Sequence, residues 1–240
     1  MTTVAIHQPN FLPWPGYFHK LLNCDVFIFL DDAQFPRGKS YVSRVPVKSP
    51  CGPLWLTIPV QGKGDFSPIK NTAMVEPEKW RNKHLKTLRA CYARAPFFQE
   101  YFPLVQRAYN QAHRLLADFN ISLITGLADT FSCPARMVRS SGLVLDYDGT
   151  LDHLVKLVKC LGGTRYLTGT GRGTLRHLDQ SAFAREGIEV VFQSFVHPEY
   201  PQLWGKFIPN MSIADMIFNC GRATEKILLQ KRAEAYKKPF

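Results

Sequence analysis

The densest run of reactive side chains lies near the start of the chain, where His7, Gln8, Asn10, Trp14, Tyr17 and His19 share thirteen residues directly after an apolar run. Polar and aromatic groups at that density beyond a strand suit a ligand pocket, and imidazoles hold or move protons near neutral pH. The same run also reads as a proline-stiffened turn in which Phe11 and Trp14 plug the core. Asp31, Asp32 and Gln34 close the next apolar run, and His197, Tyr200 and Gln202 follow the last one. His7 and His197 form the candidate catalytic pair. Gln8, Asn10, Trp14, Tyr17, Asp31, Asp32, Gln34, Tyr200 and Gln202 are the candidate substrate contacts.

A second chemistry is anion binding. Thr168, Gly169, Gly171, Arg172 and Gly173 make a glycine-rich turn between an expected strand and an expected helix, which suits a phosphate or carboxylate. No Gly-Lys-Ser/Thr follows, so it is not a P-loop, and a simple tight turn is the other reading. Lys39 and Arg44 are further candidates for the donor's charge. Ser212 with Asp215 matches a helix N-cap pair. No metal-ligand spacing is present, and the six cysteines lie far apart without a C-x-x-C pair, as expected for small buried hydrophobes in a reducing compartment.

These groups need a scaffold. The chain has 240 residues, 45% of them hydrophobic, enough for one sizeable core. Neither a membrane-spanning run nor a signal peptide is evident, so a soluble cytoplasmic protein is expected. Apolar runs at 4–6 and 25–30 flank a short helix at 17–22, a βαβ unit. Residues 36–76 read as a β-hairpin-rich excursion and 77–128 as a helical segment. Beyond them come a strand at 136–141, a helix at 151–161 capped by Thr150 and stopped at Gly162, a strand at 166–168, a helix at 175–185 and a strand at 188–195. The expected fold is a single α/β domain over 1–240, with a mainly parallel doubly wound sheet and a basic tail at 222–240.

The formal charge of +11 is uneven: residues 1–36 carry a net −2, 37–96 carry +9, 97–221 are neutral and 222–240 carry +4. An anionic partner meeting one surface would produce that pattern, as would charge kept for solubility. Lys79, Lys83 and Lys86 share one face of the helix expected at 77–94, opposite an apolar stripe of Leu85, Leu88 and Tyr92. That face is solvated, or it tracks the phosphates of an RNA such as tRNA.

The blocks Ile6-His7-Gln8-Pro9-Asn10-Phe11-Leu12-Pro13-Trp14-Pro15-Gly16-Tyr17-Phe18, Phe29-Leu30-Asp31-Asp32-Ala33-Gln34-Phe35, Trp80-Arg81-Asn82-Lys83-His84-Leu85, Arg139-Ser140-Ser141 and His197-Pro198 through Gly221 resemble the WbqC-like protein family. They span residues 4–221, although the basic loop from Arg37 to Arg44 lacks the Asn-Arg-Asn run associated with the family. The resemblance implies work in O-antigen or natural-product biosynthesis without an assigned reaction. The opening βαβ unit is also similar to the nucleotidylyltransferase-like superfamily, with Tyr17 where the second imidazole of an H-x-G-H element would stand. The expectation is a transferase or ligase that modifies an amino sugar or amino-acid-like metabolite with a phosphate-bearing donor, ATP or another nucleotide-activated compound among them. An aminoacyl-tRNA donor and a non-catalytic RNA- or partner-binding module are the alternatives.

Overall fold

The computed structural model describes residues 1–62, 65–171, 175–176, 178–229 and 236–237. Five parallel strands form its centre: β1 (Thr3–His7), β2 (Val26–Phe29), β5 (Arg136–Arg139), β6 (Arg165–Thr168) and β7 (Glu189–Gln193). Their order across the sheet is β5-β2-β1-β6-β7, and the two-residue β8 (Tyr236–Lys237) adds an antiparallel edge beside β7. A separate antiparallel hairpin joins β3 (Arg44–Ser49) to β4 (Gly52–Thr57).

The apolar runs explain the layering. Successive strand side chains point to opposite faces, so a strand that is apolar throughout must be covered on both. Val4, Ile6, Val26, Ile28, Tyr166 and Val190 join Val155, Val158 and Phe183 on one face. Ala5, Phe27, Phe29, Leu167 and Val191 join the larger cluster on the other. The first face is roofed by α5 (Gly149–Cys160) and α6 (Gln180–Arg185). The second is roofed by α1 (Pro15–Leu22), α7 (Ile213–Cys220) and α8 (Ala223–Leu229), together with α2 (Pro77–Tyr92), α3 (Phe98–Asn110) and α4 (Leu116–Ala128).

The hairpin and α2 to α4 therefore lie inside the connection from β2 to β5, as an elaborated crossover. The helical segment is two helices after α2, separated where Gln111 turns extended. One local expectation shifts: the helix at 149–160 is preceded by Asp148 rather than capped by Thr150. Of the stretch expected as a helix at 175–185, Leu175 is helical and Gln180–Arg185 forms α6, with Asp179 accepting from Ser181 N–H, and residue 177 lies outside the described residues. The hairpin strands begin at Arg44 and Gly52. Gly162 does stop α5: its φ of +70° and the bonds Gly163 N–H to Val158 O (2.9 Å) and Gly162 N–H to Lys159 O (2.9 Å) make a Schellman motif. Of the cysteines, Cys24, Cys91 and Cys220 are buried, whereas Cys51 and Cys160 are exposed.

Two buried carboxylates tie distant segments together. Asp31, fully buried just past β2, accepts from Arg139 Nε (2.7 Å), Ser141 Oγ (2.8 Å), Ser141 N–H (3.0 Å) and Ser140 Oγ (3.1 Å) at the exit of β5. Burial pushes its pKa up, but these hydrogen bonds and the guanidinium outweigh it and hold the carboxyl below its usual range. Asp215, also fully buried, accepts from the Tyr200 hydroxyl (2.7 Å) and Gln202 Nε2 (2.8 Å), fixing the coil after β7 onto α7. Here burial prevails over the hydrogen bonds and the pKa rises. Removing Asp31 would take their buried acceptor from Arg139 and Ser141, while Arg139 keeps Asp118 (2.6 Å) and Ser140 keeps Asp32 (2.5 Å). Asp31→Ala is expected to cost about 1.5–3 kcal/mol in urea denaturation, and a loss below about 1 kcal/mol would show that the β2 and β5 exits are held by something else.

Candidate functional site

The connections from β1 and β6 leave the sheet in opposite directions, so these adjacent strands flank a topological switch point. In open parallel sheets ligands bind beyond the carboxyl ends of the strands at such a point. Here those ends carry His7 on β1 and Thr168-Gly169 on β6.

His7 is half-buried against Tyr17, ring centroids 4.7 Å apart. Its Nδ1 lies 3.1 Å from the Gln8 carbonyl, an acceptor, so the neutral ring carries its proton on Nδ1 and leaves a lone pair on Nε2. Burial, then the charge of Lys20, push its pKa down to about 3. The Tyr17 hydroxyl donates to the same Gln8 carbonyl (3.2 Å), so Tyr17 props the imidazole and the loop backbone together.

Sequence reasoning missed Lys20. It sits in α1, every residue of which is buried, and is itself only 5% exposed. Its Nζ lies 3.7 Å from where a Cβ on Gly169 would stand. No side-chain hydrogen bond or ion pair engages it among the described residues, and burial lowers its pKa to about 8. A lysine ammonium with no such partner among the described residues thus sits between the ends of β1 and β6.

Gly16 makes this packing possible: a Cβ there would come within 2.1 Å of the Trp14 ring, which folds back over the start of α1. Trp14 also meets Phe195 edge-on at 5.5 Å. Phe195 contacts His19 at 5.1 Å and His197 at 5.8 Å, so one phenyl ring joins the opening segment to the segment after β7. A cavity of about 490 Å³ lies alongside, lined by His19, Phe195, Pro198, Glu199, Ile227 and Leu228. His19 itself accepts from Gln193 Nε2 at 2.9 Å, and burial lowers it to about 4.

His197 is enclosed by Phe195, Tyr200 and Phe207, with Nδ1 on the Pro198 carbonyl (3.0 Å) and a buried Nε2 lacking a partner. Burial lowers its pKa despite that bond. No hydrogen bond or ring contact links it to His7 among the described residues.

The remaining candidates divide. Asn10 is buried and Gln8 half-buried beside His7. Tyr200 and Gln202 are engaged by Asp215, and Asp31 by Arg139 and the serines, so these three hold the framework. Ser212 does cap α7, accepting from Ala214 N–H at 3.2 Å, but Asp215 belongs to the buried network and not to the cap. Asp32 accepts from Ser140 Oγ (2.5 Å) and faces His153 Nε2 at 3.3 Å, with Tyr147 stacked on that imidazole at 3.8 Å. The carboxylate stands between serine and imidazole, so the hydroxyl has no histidine base and the trio is not arranged for nucleophilic attack. Gln34 is exposed and bridges to Pro68. Thr168 is buried, its hydroxyl on Tyr166 (3.3 Å), and the Gly171 carbonyl accepts from Leu175 N–H (3.0 Å). Arg172 and Gly173 lie outside the described residues. Lys39 is exposed, and Arg44 lies over Trp55 on the hairpin, its guanidinium 3.8 Å from the ring centroid.

Among the described residues no group of three or more His, Cys, Asp or Glu side chains is arranged to hold a metal ion, and no helix is long and apolar enough to cross a membrane. Fold and geometry together define a doubly wound α/β protein with a cationic, imidazole-bearing site at its switch point. The chain matches the WbqC-like protein family over residues 8–227 and belongs to it. It is 30% identical over 223 residues to the protein named "Uncharacterized protein Rv1507c" of Mycobacterium tuberculosis (strain ATCC 25618 / H37Rv), covering 92% of this chain and 95% of that relative.

A pKa reduced from 10.5 to about 8 means that folding penalises the Lys20 charge by roughly 3 kcal/mol below pH 8. The unfolded chain binds the additional proton between about pH 8 and 10.5, so this contribution makes stability rise with pH across that window. Lys20→Met, close in volume and uncharged, is expected to raise the thermal midpoint at pH 7, with a smaller gain at pH 10. An unchanged or lower midpoint at pH 7 would mean that the ammonium is paired in solution.

Proposed function

We propose that this protein is a transferase or ligase that modifies an amino sugar or an amino-acid-like metabolite with a phosphate-bearing activated donor, in surface-polysaccharide or natural-product biosynthesis. The observation that carries the reading is Lys20, a side chain buried beside His7 at the switch point whose ammonium has no hydrogen bond or ion pair among the described residues. A buried charge without a counter-ion is costly, and an anionic ligand supplies the missing partner. ATP, another nucleotide-activated compound or an acyl phosphate would meet that requirement.

In this reading Lys20, with the backbone at Gly169, takes the donor's phosphate and offsets charge on the leaving group. His7 Nε2 accepts a hydrogen bond from the acceptor's amine or hydroxyl and aims it at the donor. The two roles are coupled. Lys20 is one of the reasons the His7 pKa is low, so an anion that neutralises Lys20 makes His7 a stronger base. Donor binding would thereby prepare the imidazole for the acceptor's proton.

Calorimetric titration of the full chain with pyrophosphate, ATP and a nucleotide-linked sugar tests the reading. At least one should bind at pH 7 and bind more weakly at pH 9, where Lys20 has lost its proton. Lys20→Met should weaken that binding by at least about tenfold, whereas His7→Ala should keep it and, in a transfer assay on amino-sugar and amino-acid acceptors, lose about 100-fold or more in turnover. Wild-type anion affinity in Lys20→Met would overturn the proposal.

A further inference from the structure

Four basic residues of the 37–96 segment, Arg44, Lys79, Lys83 and Lys86, lie on the hairpin and α2, at a surface that shares no lining residue with the switch-point site. On the hairpin, Trp55 and Tyr41 are each more than two-fifths exposed, with ring centroids 6.0 Å apart. Arg44 lies flat enough against Trp55 to bring its guanidinium 3.8 Å from the ring centroid, and its Nε is buried without a hydrogen-bond partner among the described residues. A groove of about 350 Å³ runs from Leu54 and Trp55 past Trp80 to Lys83 and Thr87. Beyond it the open face of α2 carries Lys79, Asn82 and Lys86 and shares Lys83 and Thr87 with the groove. One trough therefore has an aromatic end and a cationic end.

We propose that this trough binds the single-stranded end of a nucleic acid, with a base on the Trp55–Arg44 platform and the following phosphates along Lys83 and Lys86. Bases stack on aromatic rings and on guanidinium planes alike, so Arg44 extends the platform. The spacing of cations along one helix face suits consecutive phosphates of a flexible strand. Lys79 is already paired with Glu76 at 2.6 Å, whereas Lys83 and Lys86 have no ion pair among the described residues. A neutral sugar would use the aromatic end without the lysines, and an acidic peptide would use the lysines without the stacked platform. A duplex keeps its bases stacked on one another and cannot present one to Trp55. The inference stands apart from the transfer reaction, and failure of that reaction in assay leaves it intact.

The test is fluorescence anisotropy of the full chain with a labelled twelve-nucleotide single-stranded RNA, the same sequence as a duplex, and a labelled poly-glutamate peptide as probes. Trp55 and the two lysines are surface residues, and thermal melts of each variant confirm the fold. The single strand should bind, weakening about seven- to twentyfold between 50 and 200 mM salt, as two to three phosphate contacts require. Trp55→Ala should weaken it at least about fivefold with the salt slope unchanged. The double variant Lys83→Ala/Lys86→Ala should weaken it and flatten the slope by about 1.4. Absence of binding, equal affinity for the duplex, indifference to Trp55→Ala, or tighter binding of the peptide would each overturn the proposal, the last pointing to an acidic protein partner.

Discussion

The constraint on which the molecule depends is that its central strands are apolar on both faces. Val4 and Ile6 serve one core and Ala5 the other, and β2 and β6 divide in the same way. Such strands cannot lie at a wet surface, so helices must cover both sides, and consecutive parallel strands of the sheet are joined by crossovers. Crossovers leave their loops at the carboxyl edge of the sheet. The split in their direction at β1 and β6 opens the crevice where His7, Lys20 and Gly169 meet. The site follows from how the core is buried.

Around this centre, polar groups do two kinds of work. Asp31 and Asp215 are fully buried, yet each carboxylate meets side-chain donors from a distant segment, so the charge is used to align connections. Lys20 is nearly as buried and has no such partner among the described residues. The contrast separates framework from function: the satisfied carboxylates hold the loops still, and the unsatisfied ammonium is left for something that comes and goes.

Much of this was legible in the residues. The strands at 4–6, 25–30 and 166–168, the buried stripe of Leu85, Leu88 and Tyr92, the Ser212 cap and the stop at Gly162 rest on local rules of period, capping and backbone conformation, and the structure carries all of them. Lys20 was less visible, although there was a signal: it is the sole basic residue among the first 36 and interrupts an otherwise apolar and aromatic helix. Asp31, Tyr200 and Gln202 looked like ligand contacts because polar residues beyond strands often are. Their partners, Arg139 and Asp215, lie 108 and 13 to 15 residues away, and nothing local announces such pairings.

By itself, then, the sequence determined the α/β class, the doubly wound sheet, the position of His7 at a strand end and the concentration of charge in residues 37–96, because each is set by neighbours within a few positions along the chain. Tertiary structure alone decided which polar side chains find a partner. It spent Asp31, Tyr200 and Gln202 on the framework, set Arg44 over Trp55 and placed Lys20 against Gly169 without a partner among the described residues. Whether a charge is satisfied depends on what long-range packing brings within about 3 Å of it, and no period or motif encodes that distance.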